Sequence, residues 1–220
     1  MRHGAGTVQR LRSRLLLRTR VRALGVRLGV IAYEPTTWSE ELWNERYSNG
    51  VLDYFGALNE LPRYSILAGY VSYFGGEPDI LDVGCGQGLF RHRLEGIPFS
   101  RYVGIDPTPS AIELARRFDD ERTEFVVGDP LETDLGTFDR VVCNEVFSMV
   151  PDPAALLDRV GELLRPDGLL LTSIWRHDGD QRLWEMVDKR FDRLDTVEAQ
   201  NPANPVGTRG WRLTCHRRRP

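Results

Sequence analysis

From position 79 onward, apolar residues come in short runs separated by stretches with helical spacing. ILDVG (80–84), RYVGID (101–106), TEFVVGD (123–129), FDRVVCNEVF (138–147) and GLLLTSIW (168–175) are rich in Val, Ile, Leu and Phe and nearly continuous in hydrophobicity. Such runs predict strands covered on both faces. Between them LFRHRLEG, PSAIELARRFDD, PAALLDRVGELLRP and RLWEMVDKRF predict helices, with Pro109 and Ser110 opening the second and Pro166 stopping the third. Two further strand-like segments, RFDRLDTVEAQ (190–200) and RGWRLTCHR (209–217), are joined by NPANPVGT, whose Asn, Pro and Gly suit a turn. The pattern predicts an α/β fold: an open, mostly parallel sheet with helices on both faces, finished by a hairpin that puts an antiparallel strand in or beside it.

Upstream the pattern changes. Residues 36–76 read as two helices divided near Ser48, Asn49 and Gly50, the first capped by Thr37 with Glu40 three positions on, the second opening at Leu61 and Pro62. Trp38, Trp43, Tyr47, Tyr54, Phe55, Tyr64, Tyr70, Tyr73 and Phe74 crowd this region, a supply of packing surface with part of it suited to a lid over a planar ligand. Residues 8–30 set Val8, Leu11, Leu15, Val21, Leu24 and Leu28 at mostly helical steps between arginines, the pattern of a basic amphipathic helix. Two readings stay open for it: packing on its own domain or a tail, and docking to anionic lipid or a partner. The division expected is therefore a basic segment (1–34), a helical aromatic cap (35–77) and a ligand-binding core (78–220).

Composition bounds the function classes. A chain of 220 residues suits one domain with a short appendage, and its 41% hydrophobic and 28% charged content excludes global disorder. Cys85, Cys143 and Cys215 are odd in number and include no CxxC pair, which argues against a disulfide framework or zinc site and fits a reducing cytoplasm. No apolar run approaches the roughly 20 residues of a membrane-spanning helix, and the start lacks the unbroken apolar stretch of a secretory signal. The net charge of −3 hides an uneven distribution, since the arginines from Arg2 to Arg27 all precede the first acid, Glu34. An Arg-rich, acid-poor start is also similar to a mitochondrial transit peptide. The location expected is cytoplasmic, with peripheral contact at the inner membrane face through residues 8–30.

ILDVGCGQGLF (80–90) carries the candidate chemistry. An open α/β sheet binds ligands beyond the carboxyl ends of its strands, at the crossing this loop would make. A dinucleotide fingerprint counted from Gly84 requires a third glycine where Leu89 stands, and a phosphate-binding P-loop requires a lysine, of which the chain has only the distant Lys189. Asp82-x-Gly84-x-Gly86-x-Gly88 resembles motif I of the class I S-adenosylmethionine-dependent methyltransferases, in the seven-stranded Rossmann-like sheet of that family. The resemblance extends over about residues 78–216, with FDRVVCNEVFSMVPDP similar to motif IV and LLRPDGLLLTS to the element before the fifth strand.

The resemblance implies S-adenosylmethionine as cofactor, S-adenosylhomocysteine as product, and a set of site residues. Asp82, Gly84, Cys85, Gly86 and Gly88 would hold the methionyl portion and ribose. Asp106, at the end of the second strand, would accept both ribose hydroxyls, with Pro107 and Thr108 beside the adenine. Asp129, followed by Pro130, matches the position that accepts from the adenine amino group. Asn144 and Glu145 would run past the methylsulfonium, and Trp43 and Tyr47 in WNERY look like an aromatic cap over the cofactor. An oxygen nucleophile also needs a base. His177, at the carboxyl edge of the fifth strand, is the first candidate and Glu145 the second; His92 reads as exposed and structural, and His3 and His216 as solvated in basic termini. No metal is expected, because the fourth strand ends Cys143, Asn144, Glu145 without an adjacent acidic pair. No nucleic-acid groove is expected either, since arginines and acids alternate between 35 and 200. The leading expectation is methyl transfer to oxygen or nitrogen of a small or medium acceptor such as a sugar, glycolipid or secondary metabolite. Two alternatives remain: an RNA-modifying enzyme with the basic start as its RNA arm, and a non-catalytic cofactor-binding scaffold.

Overall fold

A computed structural model describes residues 39–176, 180–200 and 210–219. The expectations that fall on residues 1–38, including the basic helix and the membrane contact, lie outside the described residues, as do the turn NPANPVGT and His177. The first helix begins at Glu40, with Ser39 and not Thr37 at its N-cap position. Seven strands form one sheet: β1 (Asp79–Val83), β2 (Arg101–Asp106), β3 (Thr123–Val127), β4 (Phe138–Asn144), β5 (Leu164–Trp175), β6 (Phe191–Gln200) and β7 (Gly210–Arg218). Their order is β3-β2-β1-β4-β5-β7-β6, with β1 to β5 parallel and β7 antiparallel to both β5 and β6. The expected terminal hairpin is present, and its second strand is inserted between β5 and β6.

Alternation along the strands sorts the core into two layers. Ile80, Tyr102, Val142, Leu171 and Leu213 face helices α2 (Leu61–Phe74), α3 (Leu89–Arg93) and α4 (Pro109–Ala115). Leu81, Val83, Ile105, Val141 and Ile174 face α5 (Pro153–Leu163) and α6 (Asp180–Arg190). Full burial of each such side chain is worth about 1.5–3 kcal/mol. A third, smaller cluster joins Trp43, Tyr47, Leu52 and Tyr54 to Ala111, and so seats α1 (Glu40–Ser48) on α4. Two short 3₁₀ turns, Asp53–Gly56 and Leu58–Glu60, connect α1 to α2.

Several boundaries differ from the sequence reading. The helix after the glycine loop stops at Arg93, and α4 gives way to a 3₁₀ turn at Arg116–Phe118. The helix expected to run to Pro166 ends at Leu163, and β5 begins at once, because the proline ring disfavours helical geometry at Arg165. His216, expected in solvent, is fully buried on β7, since that strand lies inside the sheet and not at its edge. No helix among the described residues is long and apolar enough to cross a membrane.

Candidate active site

The sheet reverses direction of winding at β1, which pairs with β2 on one side and β4 on the other. The carboxyl ends of these strands diverge into loops, and a cavity of about 320 Å³ opens there. Asp82, Gly84, Cys85, Gly86, Asp106, Pro107, Thr108, Asp129, Pro130, Asn144, Glu145, Trp43 and Tyr47 all line it. Gly88 does not: its Cα faces Phe118, Phe125 and Ala115, where an added Cβ would come within 3.0–3.2 Å, so it seals the loop against the core behind. Cys85 is buried, with its thiol raised well above the ordinary range by burial and then by Asp106 and Asp82.

The glycine loop is held by β2. Gly84 and Cys85 donate their backbone N–H groups to Ile105 O at 2.8 and 3.1 Å. Asp106 accepts from Gly86 N at 3.0 Å through one carboxylate oxygen and from Thr108 N at 2.9 Å through the other. The Thr108 hydroxyl also bonds this carboxylate, which leaves it one lone pair for a ligand. Gly86 has φ +53°, and a Cβ built there would stand 2.6 Å from the Tyr47 hydroxyl. The absence of a side chain at Gly86 is what lets α1 close down on the loop. That closure is tied by Asn44, whose side-chain oxygen accepts from Ser110 N at 3.1 Å and Ser110 Oγ at 2.9 Å. Gln87 Nε2 adds a bond to Leu52 O at 3.3 Å.

Asp82 lies beneath the loop, 1% exposed, and accepts from Tyr102 Oη at 2.6 Å. Burial, with Asp106 adding to it, raises its pKa to about 7 against the pull of the Tyr102 hydroxyl and Arg63. Asp106 is raised by burial as well, opposed by its bonds from Thr108 and Gly86. Asp129 is exposed at the rim, where one oxygen accepts from Leu131 N at 2.8 Å.

The wall opposite the loop is a polar chain that the sequence reading largely missed. Arg63, on the first turn of α2, is 3% exposed and lines the cavity. Its Nε donates to Glu60 Oε2 at 3.0 Å, one terminal nitrogen to Asn144 Oδ1 at 3.0 Å and the other to Tyr64 Oη at 2.7 Å. The guanidinium also sits over the Phe55 and Tyr64 rings at 5.1 and 4.2 Å. Three of its five N–H groups are thus committed and two remain. Trp43, 5% exposed, also carries a buried indole N–H without a hydrogen-bond partner among the described residues. Ser173 Oγ lies 2.7 Å from both Asn144 Oδ1 and Glu145 Oε1, and Glu145 Oε2 accepts from Trp175 N at 2.9 Å. Glu145 has φ +67°, the one non-glycine positive value among the described residues. Ser173, in the largely apolar run LLLTSIW, Arg63 and Glu60 all reach the site through tertiary packing.

The cavity offers unspent donors at Trp43 and Arg63, unspent acceptors at Asp82, Asp106 and Glu145, and apolar walls at Phe55, Val146, Met149, Val150 and Leu156. A nucleoside with both cationic and carboxylate groups matches this set better than a polyphosphate, since Arg63 is the one basic residue lining the cavity among the described residues. No three His, Cys, Asp or Glu side chains among the described residues are grouped to share a metal ion.

Comparison with known proteins adds to this geometry. A family model described as a methyltransferase domain matches residues 34–215. A malonyl-[acyl-carrier protein] O-methyltransferase of Acetivibrio thermocellus is 37% identical over 102 residues, 45% of this chain and 36% of that protein. A ubiquinone biosynthesis O-methyltransferase of Neisseria meningitidis is 32% identical over 115 residues, 47% of this chain and 48% of its own length. The chain thus spans half or less of the curated relatives it matches. Among solved structures, the N-methyltransferase NodS from Bradyrhizobium japonicum, crystallised with S-adenosyl-L-homocysteine, superposes with a TM-score of 0.70 at 19% identity. That match covers 82% of this chain and 98% of NodS, a likeness of fold.

Proposed function

We propose, from the premise that this chain belongs to the methyltransferase-domain family, that it transfers a methyl group from S-adenosylmethionine to an oxygen of a small or medium-sized acceptor. The observation that carries the reading is the pairing of a lysine-free glycine loop with Asp106, whose carboxylate braces Gly86 and keeps a lone pair toward the cavity. Oxygen is favoured over nitrogen because the two curated relatives described above are O-methyltransferases, whereas the N-methylating neighbour resembles this chain at the level of fold.

When bound, the cofactor supplies an electrophilic methyl group on a sulfonium. Asp106 receives a ribose hydroxyl, and Pro107, Thr108, Asp129 and Pro130 form the adenine end. Asp82 favours the ammonium, while Trp43 Nε1 and the two uncommitted N–H groups of Arg63 suit the carboxylate. Trp43 and Tyr47 cover the loop and keep water out, which leaves alignment of the acceptor as the main catalytic task. The acceptor lies against Phe55, Val146, Met149 and Glu145, and Glu145 is the base among the described residues; His177 remains a candidate beyond them.

Asp106→Ala tests the assignment. It removes the brace on Gly86 and a charge-assisted acceptor, so the affinity for S-adenosylhomocysteine should fall by more than about 1.5 kcal/mol, over tenfold in Kd. An unchanged Kd would place the ribose elsewhere.

A further inference from the structure

The enclosed wall of the cavity carries more acid than base. Arg63 is the only basic residue lining it among the described residues, and Glu60 already neutralises that charge at 3.0 Å. Asp82, Asp106 and Glu145 also line the cavity, and among the described residues Arg63 is the one cation acting on Asp82 and Glu145. Asp106 has two backbone N–H donors and Asp82 has the Tyr102 hydroxyl. Glu145 is less well supplied. The Ser173 hydroxyl has a single hydrogen, yet it lies 2.7 Å from two acceptors, Asn144 Oδ1 and Glu145 Oε1. Turning the Asn144 amide over does not resolve the conflict, because Arg63 also donates to that Oδ1. A proton on Glu145 Oε1 resolves it: Glu145 donates to Ser173 Oγ, Ser173 donates to Asn144, and every group is satisfied.

We propose that Glu145 carries a proton in the cofactor-free site and surrenders it when the sulfonium enters, so that it stands as a carboxylate base only in the loaded site. This rests on the cofactor reading above. The groups acting on Glu145 are Arg63 and Tyr64 on α2, Glu60 on the turn before it, and Ser173 and the Trp175 backbone on β5, with Asn144 reaching it through the shared Ser173 hydroxyl. Burial raises its pKa, and Arg63, Ser173 and the Trp175 N–H do not cancel that effect. Its strained backbone, anchored by Glu145 N to Ser173 O at 3.2 Å, fixes the carboxylate in this place.

The charge change of the reaction fits this behaviour. As the acceptor hydroxyl forms its O–CH₃ bond, the S–CH₃ bond breaks and its electron pair stays on sulfur, converting a sulfonium to a neutral thioether. Glu145 takes the hydroxyl proton, so a cation and a carboxylate become two neutral groups. The site after transfer is again the one in which protonated Glu145 is favoured, and the proton leaves when the next cofactor binds.

Calorimetric titrations in phosphate and in Tris, at one pH near neutrality, test this. The proton count for S-adenosylmethionine should exceed that for S-adenosylhomocysteine by close to a single released proton, since the two ligands differ in the sulfonium and share the ammonium and carboxylate. Glu145→Gln should abolish the difference. Infrared spectra of the wild-type protein give a second reading: a protonated-carboxyl C=O band present without cofactor, lost with S-adenosylmethionine and retained with S-adenosylhomocysteine. Equal proton counts for the two ligands, or a difference that survives in Glu145→Gln, overturn the proposal. Absence of any binding heat would instead overturn the cofactor reading, and this inference with it.

Discussion

A methyl group added at Gly86 would meet the Tyr47 hydroxyl at 2.6 Å in a left-handed backbone, φ +53°. Two costs are therefore separable: about 1–2 kcal/mol for placing an L-residue in that region, and the contact with Tyr47. Gly86→Ala should weaken cofactor binding more than tenfold, and adding Tyr47→Phe should recover part of the loss, which a double-mutant cycle by calorimetry reads directly. Strict additivity would mean that α1 does not close on the loop. At this scale the sequence was informative where chemistry depends on neighbours along the chain. Asp82, Gly84, Gly86 and Asp106 were legible because a strand end and its turn are local objects. Arg63, Glu60 and Ser173 were not, because their meeting with Glu145 depends on how α2, β4 and β5 come together. His216 misled for a related reason: its arginine neighbours suggest solvent, while the insertion of β7 between β5 and β6 removes it from solvent.

Helix α1 has nine residues, fewer than an isolated helix needs to persist in water. Its hold on the site comes from Trp43 and Tyr47 packed near Ala111 and from Asn44 bonded to Ser110. Asn44→Ala leaves the sheet untouched but removes the side-chain acceptor for Ser110 N and Oγ, so cofactor should bind severalfold more weakly. Proteolysis near α1 should also become faster, with protection restored by saturating S-adenosylhomocysteine. Cleavage and affinity equal to wild type would show that the aromatic packing alone seats the helix. The existence and order of the elements followed from apolar periodicity. The ends did not, since β5 starts at Leu164 through pairing with Phe138, a long-range contact that local pattern does not carry.

In the whole molecule, two buried groups give opposite pH dependences. His216 is lowered to about 4, first by burial, with Asp188 opposing. The unfolded chain then binds more protons between about 6.5 and 4, so this group removes stability as pH falls through that window, by up to about 3 kcal/mol. Asp82, raised to about 7, acts in the other sense: the folded state binds the extra proton, and stability is regained as pH falls from about 7 toward 4. Urea unfolding across this range should show His216→Gln gaining stability relative to wild type as pH drops, and Asp82→Asn losing it. Parallel curves for all three proteins would show that neither group is buried in the state assigned here. The central claim, that the cavity at the β1 crossing is a sulfur-nucleoside site, is tested most directly by titrating the protein with S-adenosylmethionine, S-adenosylhomocysteine and NAD side by side. Saturable binding of the first two with no heat from NAD is the result expected, and binding of NAD, or of none of the three, would contradict it.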